Sequence, residues 1–170
     1  MTNTASQWRA PSFIRGTPFD NGVSMKFFTR ERYDAIQHDS RKAERDWNQA
    51  VHDYAKHVDK IRAQLPASAC QLLDLTLHDG TVSSVDHPDP AVVRIVVDAS
   101  RNPWGPRGIF ALTFSGLNAA TFHGPTIGDW WLYEEIHLSE AGLGLHVLLR
   151  RSELVVDAAA VTIESLTKVV

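Results

Sequence analysis

The sequence predicts an α+β fold, with a long N-terminal amphipathic helix packed on an antiparallel meander sheet of about six strands. Three observations carry this expectation. Apolar residues recur at helical spacing through the first half of the chain, and from Leu75 onward the period changes to two. The breaks in the second half, HPDP, RNPWGPRG and EAG, are rich in Pro, Gly and polar residues and leave no room for helices between strands. Strands joined by such short links pair antiparallel, because a parallel neighbour needs a crossover of a dozen residues or more.

Residues 1–24, MTNTASQWRAPSFIRGTPFDNGVS, carry Pro11, Gly16, Pro18 and Gly22 without helical or strand periodicity. They read as a flexible leader to a single α+β domain over 25–170. Trp8, Phe13 and Phe19 offer the alternative of an ordered arm. Met25 then opens MKFFTRERYDAIQ, a second start methionine followed by structured-looking sequence, so the natural chain is expected to begin there.

Thr29 before Arg30, Glu31 and Arg32 is a helix start, because its hydroxyl can take an orphan backbone N–H. A long helix follows, in which Trp47, Val51, Tyr54, Val58, Ile61 and Leu65 fall on one stripe at spacings of three and four. Pro66 ends it, and Ala67 to Leu75 form a shorter helical segment. The stripe spans too few heptads for a coiled-coil dimer, so it is expected to pack on the sheet, in a monomer or weak dimer. The strands expected are Thr81–Val85, Val92–Asp98, Ile109–Ser115, Trp130–Leu138, Leu143–Arg150 and Leu154–Ile163, and Leu117 to Asp129 is expected to be a long loop.

Composition bounds the function. A chain of 170 residues with 44% hydrophobic and 22% charged residues suits one folded domain. Its net charge of −3 calls for neither nucleic acid nor an anionic membrane as partner. Cys70 is the single cysteine, which excludes an intrachain disulfide and a cysteine-rich zinc module and suits a reducing cytoplasm. No apolar run approaches the roughly 20 residues needed to span a bilayer. The N-terminus lacks the apolar core of a secretory signal. Acids gather from Asp129 to Glu164, at Asp129, Glu134, Glu135, Glu140, Glu153, Asp157 and Glu164, against only Arg150 and Arg151 in that stretch. An acidic face of this kind can attract a basic partner.

The run Gly128 to Glu140, GDWWLYEEIHLSE, holds the densest chemistry. Strand alternation puts Trp130, Leu132, Glu134, Ile136 and Leu138 on one face, read as the core side, and Trp131, Tyr133, Glu135 and His137 on the other, read as a half-exposed stripe. Glu134 and Glu135 then point apart and cannot act as an acid/base pair. Glu134, set among apolar neighbours, needs neutralising, with Arg94, Arg150 or Arg151 as candidates. His78, Asp79, Asp86, His87 and Asp89 lie near one another around the first hairpin but match no zinc pattern. His137 and His146 face each other across a hairpin and could hold a metal with Glu135 or His123. No GxSxG elbow, P-loop or GxGxxG occurs, so no cofactor and no catalytic residue is assigned. The loop with Trp104 and the loop after Leu117 are the best places for a binding surface.

The opening MKFFTRERYDAIQ, the element LTLHDGTV and the late WWLYEEIHL resemble an uncharacterised family of small bacterial proteins that open with Met-Lys-Tyr/Phe-Phe-Thr and carry a Leu-His-Asp element. The resemblance spans most of Met25 to Leu166, and it implies no activity and no catalytic residue. In form, a small α+β protein with an acidic sheet also resembles bacterial immunity proteins directed against toxins. The function expected is therefore a non-enzymatic protein-binding module, immunity-like, that occludes a partner toxin through Trp104, Trp131, Tyr133, Glu135 and His137. The rival is an enzyme or a small-ligand or metal-binding protein with a pocket between helix and sheet.

Overall fold

The computed structural model describes residues 25–38 and 40–166. The expected leader, 1–24, lies outside the described residues. The fold is α+β, with three helices followed by six antiparallel strands.

Helix α1 spans Arg30–Ile36 and starts where Thr29 accepts the Arg32 N–H at 3.4 Å. Gln37 caps its end, and Ser40 opens α2, Arg41–Ile61, by accepting the Ala43 N–H at 3.0 Å. The single long helix expected after Thr29 is thus two, because a second Ser cap competes with helical continuation at that point. A short 3₁₀ turn, Arg62–Gln64, and Pro66 separate α2 from α3, Ala67–Asp74. On α2, Trp47 and Ile61 are buried as the stripe predicts, whereas Val51 lies exposed.

The strands are β1 Thr81–Asp89, β2 Val92–Asp98, β3 Ile109–His123, β4 Trp131–His137, β5 Leu143–Leu149 and β6 Glu153–Ser165. Their spatial order is β1-β2-β3-β6-β5-β4, so the sheet is not one meander but two three-stranded meanders joined through β3 and β6. The joint is long because β3 continues through most of the stretch expected as a loop. Gly116, at φ +63°, and a bulge between Leu117 and Ala119 let Leu117–His123 keep pairing with β6. A Cβ on Gly116 would lie 2.7 Å from that of Ala159, so only glycine fits this turn of the strand.

The sheet rolls until its two outer strands meet. Thr81 bridges Trp130, the Trp131 N–H donates to Gly80 O at 2.8 Å and the Asp79 N–H to Trp131 O at 2.9 Å. Farther along, the Val82 N–H donates to Asp129 O at 3.0 Å and the Gly128 N–H to Val82 O at 2.8 Å. This seam closes one end of the sheet as a small barrel. Inside are Val93, Ile95 and Val97 of β2, Phe110, Leu112 and Phe114 of β3, Val156 of β6 and Leu145 and Val147 of β5, with Leu65, Leu72 and Leu77 from the α3 region joining the same core.

A second, smaller core lies on the outer face of β4 and β5. It joins Met25, Phe28, Trp47, Leu132 and Leu148, with Tyr33, Tyr54 and Tyr133 packed against it. Contact between α2 and the sheet is concentrated on β4. The Tyr54 hydroxyl accepts the Ile136 N–H at 2.9 Å, and His57 Nε2 lies 3.3 Å from Ile136 O. These bonds occupy the outer edge of β4, which would otherwise offer unpaired backbone groups to another chain.

Candidate functional site

The strand that holds the predicted site residues carries a bulge. Trp131 pairs with Leu149 and Tyr133 with Leu148, so one extra residue of β4 is accommodated between them. The simple alternation of GDWWLYEEIHLSE therefore breaks at Leu132. Trp131 turns into the barrel together with Glu134 and Ile136, while Leu132 and Tyr133 both belong to the outer core. Trp130, expected in the core, is 46% exposed, and Leu138 lies exposed beyond the strand end.

The expected half-exposed stripe of Trp131, Tyr133, Glu135 and His137 is corrected by this geometry. Trp131 and Glu135 are fully buried, His137 is buried and Tyr133 is half-buried. What covers Glu135 is the chain itself. Its carboxylate accepts the N–H of Lys26 at 2.9 Å, of Phe27 at 2.7 Å and of Phe28 at 2.7 Å, with His137 Nε2 at 3.1 Å. Consecutive amides converging on one anion form a nest, here filled by an internal carboxylate. Burial pushes the Glu135 carboxyl up, but His137 and the three amides outweigh it and hold it below the usual carboxylate range. Arg32 completes the clasp by donating to Lys26 O and Phe27 O, both at 2.9 Å. The rings of Phe27 and Phe28 then stack among Tyr54, His57, Trp47 and Tyr133.

Glu134 faces inward and is neutralised by none of the expected arginines. Its carboxylate accepts the Trp131 indole N–H at 2.7 Å. Desolvation dominates and pushes it up to about 7, only partly offset by that bond. A carboxyl raised in the folded state binds its proton more tightly there than in the unfolded chain. Its stabilising contribution is complete below about pH 4.5 and is lost as pH rises through about 7. Glu134→Gln keeps an acceptor for the indole and cannot ionise. Urea melts at pH 5 and pH 8 are expected to show the wild type losing stability between them and the variant losing less; parallel losses in both would refute this account.

His137 and His146 do not form a metal centre with Glu135. His146 Nε2 lies 3.2 Å from Glu153, and burial, the leading cause, lowers its pKa despite that carboxylate. Among the described residues no group of three His, Cys, Asp or Glu side chains is placed to hold a metal ion. The first-hairpin cluster also comes apart, since Asp86 accepts from the Ser84 hydroxyl and His87 packs on Phe122. Trp104 is 75% exposed on a loop ordered by Asn102. That buried amide accepts from the Trp104 and Gly105 N–H groups and donates to Thr76 O.

A different set of residues forms an open cleft of about 480 Å³ beside the seam. Tyr33 comes from the middle of α1 and Gln37 from its C-cap, His78 and Asp79 from the turn before β1, Trp130 from just ahead of β4, Leu132 and Tyr133 from its bulged start, and Arg150 from the β5–β6 turn. Asp79 is held at φ +64°, and its N–H is tied to Trp131 O at 2.9 Å. His78 stands edge-on to Tyr133 with ring centroids 4.9 Å apart. Its Nδ1 is 3.2 Å from Asp79 Oδ1, within ionic reach but not aligned as a hydrogen bond, so this buried nitrogen has no hydrogen-bond partner. The Arg150 guanidinium lies 5.1 Å from the centroid of the Trp130 ring. A second hollow of about 370 Å³, lined by Val85, Phe122, Gly124, Pro125, Thr126 and Ile127, is mostly apolar.

Over residues 11–156 the chain matches a family described as Protein of unknown function (DUF4085). It belongs to that family. The DUF4085 match starts ahead of Met25 and takes in every element from α1 to β5. No curated protein matches the chain. No helix among the described residues is long and apolar enough to cross a membrane. In this DUF4085 protein the cleft brings together residues that lie far apart in the sequence. The sequence places His78 and Asp79 in the first-hairpin cluster and in the Leu-His-Asp element, Trp130 on the core face and Arg150 among the candidate partners of Glu134. The signal that could have joined them was the aromatic and charged density at both ends of the seam, GDWW and LLRRS.

Proposed function

We propose that the protein is a non-enzymatic binding module for a protein partner, with the Trp130–Arg150 cleft rather than the β4 stripe as its recognition surface. The observation that supports this most is the stacked, exposed pair of Trp130 and Arg150 at the mouth of a cleft that also holds Tyr33, Tyr133 and Asp79. Tryptophan, tyrosine and arginine are the residues that dominate interface energetics, and here a buried scaffold orients them. The Arg150 N–H is fixed on Trp130 O at 2.9 Å and Arg30 holds Arg150 O at 2.9 Å, so little order would have to be gained on binding.

Three of the seven late acids are withdrawn from the acidic face that the sequence predicts, while Glu140 and Glu164 stay exposed and Glu153 and Asp157 half-buried. Asp129 and Glu135 are buried, and Glu134, half-buried and paired with the core residue Val147, is turned inward with its carboxylate on the Trp131 indole. Occlusion of a partner toxin stays within the proposal as its narrower form, supported by the small α+β scaffold alone. The test is a comparison of partner capture from the source cell by the wild type, by the Trp130→Ala/Arg150→Ala double variant and by Trp104→Ala. Loss of one defined partner in the double variant alone is expected. Equal capture by all three, or capture by none, would remove the cleft as the recognition surface. Neutralisation of the captured partner's toxicity in co-expression would establish the narrower form, and its failure would limit the role to binding.

A further inference from the structure

The β5–β6 turn carries more positive charge than its surroundings balance. Arg150 and Arg151 stand on it, and Arg30 reaches it from α1 to donate to the carbonyls of Leu149, Arg150 and Ser152. Among the described residues only one carboxylate touches the group: Asp129, buried, which meets Arg151 Nε at 3.4 Å. Arg30 spends its donors on carbonyls, which accept hydrogen bonds but cancel no charge. Among the described residues the exposed Arg150 guanidinium has no carboxylate partner at all. In a chain of net charge −3, a turn with two guanidinium groups lacking a counter-ion is a local reversal of sign that can draw in and orient an anion.

Geometry narrows the anion. A guanidinium lying against an indole keeps its N–H fork free at the edge, the arrangement that meets a carboxylate with two parallel hydrogen bonds. Asp79 lines the same cleft, so a doubly charged phosphate would meet more repulsion there than a carboxylate carrying one charge. A nucleic-acid backbone would need a stripe of basic residues, and among the described residues lining the cleft Arg150 is the one guanidinium or ammonium group, beside the Asp79 carboxylate and the His78 imidazole. The exposed Trp130 ring beside Arg150 offers apolar surface for whatever adjoins the anion.

Resting on the binding role proposed above, we infer that this cleft receives a carboxylate of the partner polypeptide on Arg150, with an adjacent apolar side chain of the partner packed on the exposed Trp130 ring. The carboxylate can come from an Asp or Glu side chain or from a chain terminus. Four probes separate the sources: a capped peptide alternating leucine and glutamate, its capped glutamine counterpart, the glutamine peptide with a free C-terminal carboxylate, and an oligothymidylate. Binding is followed by NMR at the Trp130 indole and Arg150 Nε–H resonances of the full chain.

The glutamate peptide, or the free-carboxylate peptide if a terminus is what the cleft reads, is expected to shift both resonances while the capped glutamine peptide does not. Arg150→Ala should weaken that binding about tenfold or more, and Arg150→Lys should restore only part, because an ammonium lacks the fork. Affinity should fall as salt rises from about 0.1 M to about 1 M, where the screening length drops from about 10 Å to about 3 Å. Equal binding of the capped glutamine peptide, tighter binding of the oligonucleotide, or shifts confined to other resonances would each overturn the inference. If acidic peptides fail while the Trp130→Ala/Arg150→Ala variant still loses its cellular partner, the carboxylate is wrong and the binding surface stands. If peptides bind and partner capture ignores the cleft, the surface is wrong as the physiological one.

Discussion

Glu135→Ala is expected to lower the stability of the protein by about 3 kcal/mol, read as a drop in the urea midpoint at constant slope. The size follows from what the carboxylate holds. Three consecutive amides, of Lys26, Phe27 and Phe28, and the His137 ring all converge on it in a buried site. Alanine leaves those donors without an acceptor, and an unmet buried donor costs more than its hydrogen bond contributed. Glu135→Gln should fall in between, because one amide oxygen can accept while the adjacent NH₂ group confronts N–H donors. Hydrogen exchange supplies the local readout: the Lys26, Phe27 and Phe28 amides should exchange much faster in the alanine variant, while Leu145 and Val156 in the barrel change with global stability only. The pH dependence has a definite sign. A carboxyl held low in the folded state contributes stability that is present above its unfolded value, 4.5, and lost as pH falls through the lower folded value, so the difference between wild type and variant should shrink below about pH 4.5. An unchanged midpoint and unchanged protection at 26–28 would mean that the clasp contributes nothing to holding the segment.

The clasp also shows what the sequence could convey. The six strands and the capped helix start at Thr29 were legible because each rests on a local rule: period two, turn residues at the breaks, a hydroxyl ahead of a helix. Glu134 on the inner face was legible for the same reason, since it lies past the bulge and keeps step with Ile136. The burial of Trp131 was not. It depends on one extra residue between Trp131 and Tyr133, set by pairing with Leu149 and Leu148 on the next strand, which no local alternation reports. The burial of Glu135 was illegible too, because its partners are backbone amides more than a hundred residues away. His137, two residues on, meets the same carboxylate, but the three backbone N–H donors that bury it leave no mark in side-chain identity.

The same bulge that hides Trp131 builds the cleft. By placing Leu132 and Tyr133 together on the outer side, it leaves Trp130 free at the rim beside the seam, where α1, the His78–Asp79 turn and Arg150 converge. β-Bulges commonly re-aim a side chain near functional surfaces, and here the re-aimed residues are those that a strictly alternating strand would have buried or exposed the other way round. Order of pairing mattered as much as register. The chain passes from β3 to the far side of the sheet, so GDWW lands beside β1 and the closing turn LRRS lands beside GDWW. A simple meander would have kept Trp130 and His78 apart.

Asp129 makes that convergence dependent on one carboxylate, and Asp129→Ala is expected to cost about 3 kcal/mol and to loosen the cleft with it. The side chain is buried and accepts from the Trp130 N–H at 3.0 Å, the Arg151 N–H at 2.8 Å and the Ser152 hydroxyl at 2.8 Å, while its backbone O takes the Val82 N–H across the seam. Burial pushes its carboxyl up, but the Ser152 hydroxyl and the Arg151 and Trp130 N–H groups outweigh this and hold it below the usual range. Trp130 follows Asp129 directly and Arg150 precedes Arg151, so the two rim residues of the cleft hang on donors to this one group. Calorimetric or urea melts should show the loss, and the Trp131 amide, bonded to Gly80 O across the seam, should exchange faster in the variant by more than global destabilisation accounts for. Ser152→Ala removes one donor and leaves the carboxylate its other partners; it should cost about 1 kcal/mol and leave the seam closed. If Asp129→Ala destabilises the protein while Trp131 exchange merely tracks global stability, the carboxylate supports the fold without controlling the seam. The cleft would then be held by Arg30 on the carbonyls of Leu149, Arg150 and Ser152, which Arg30→Ala tests by the same exchange measurement.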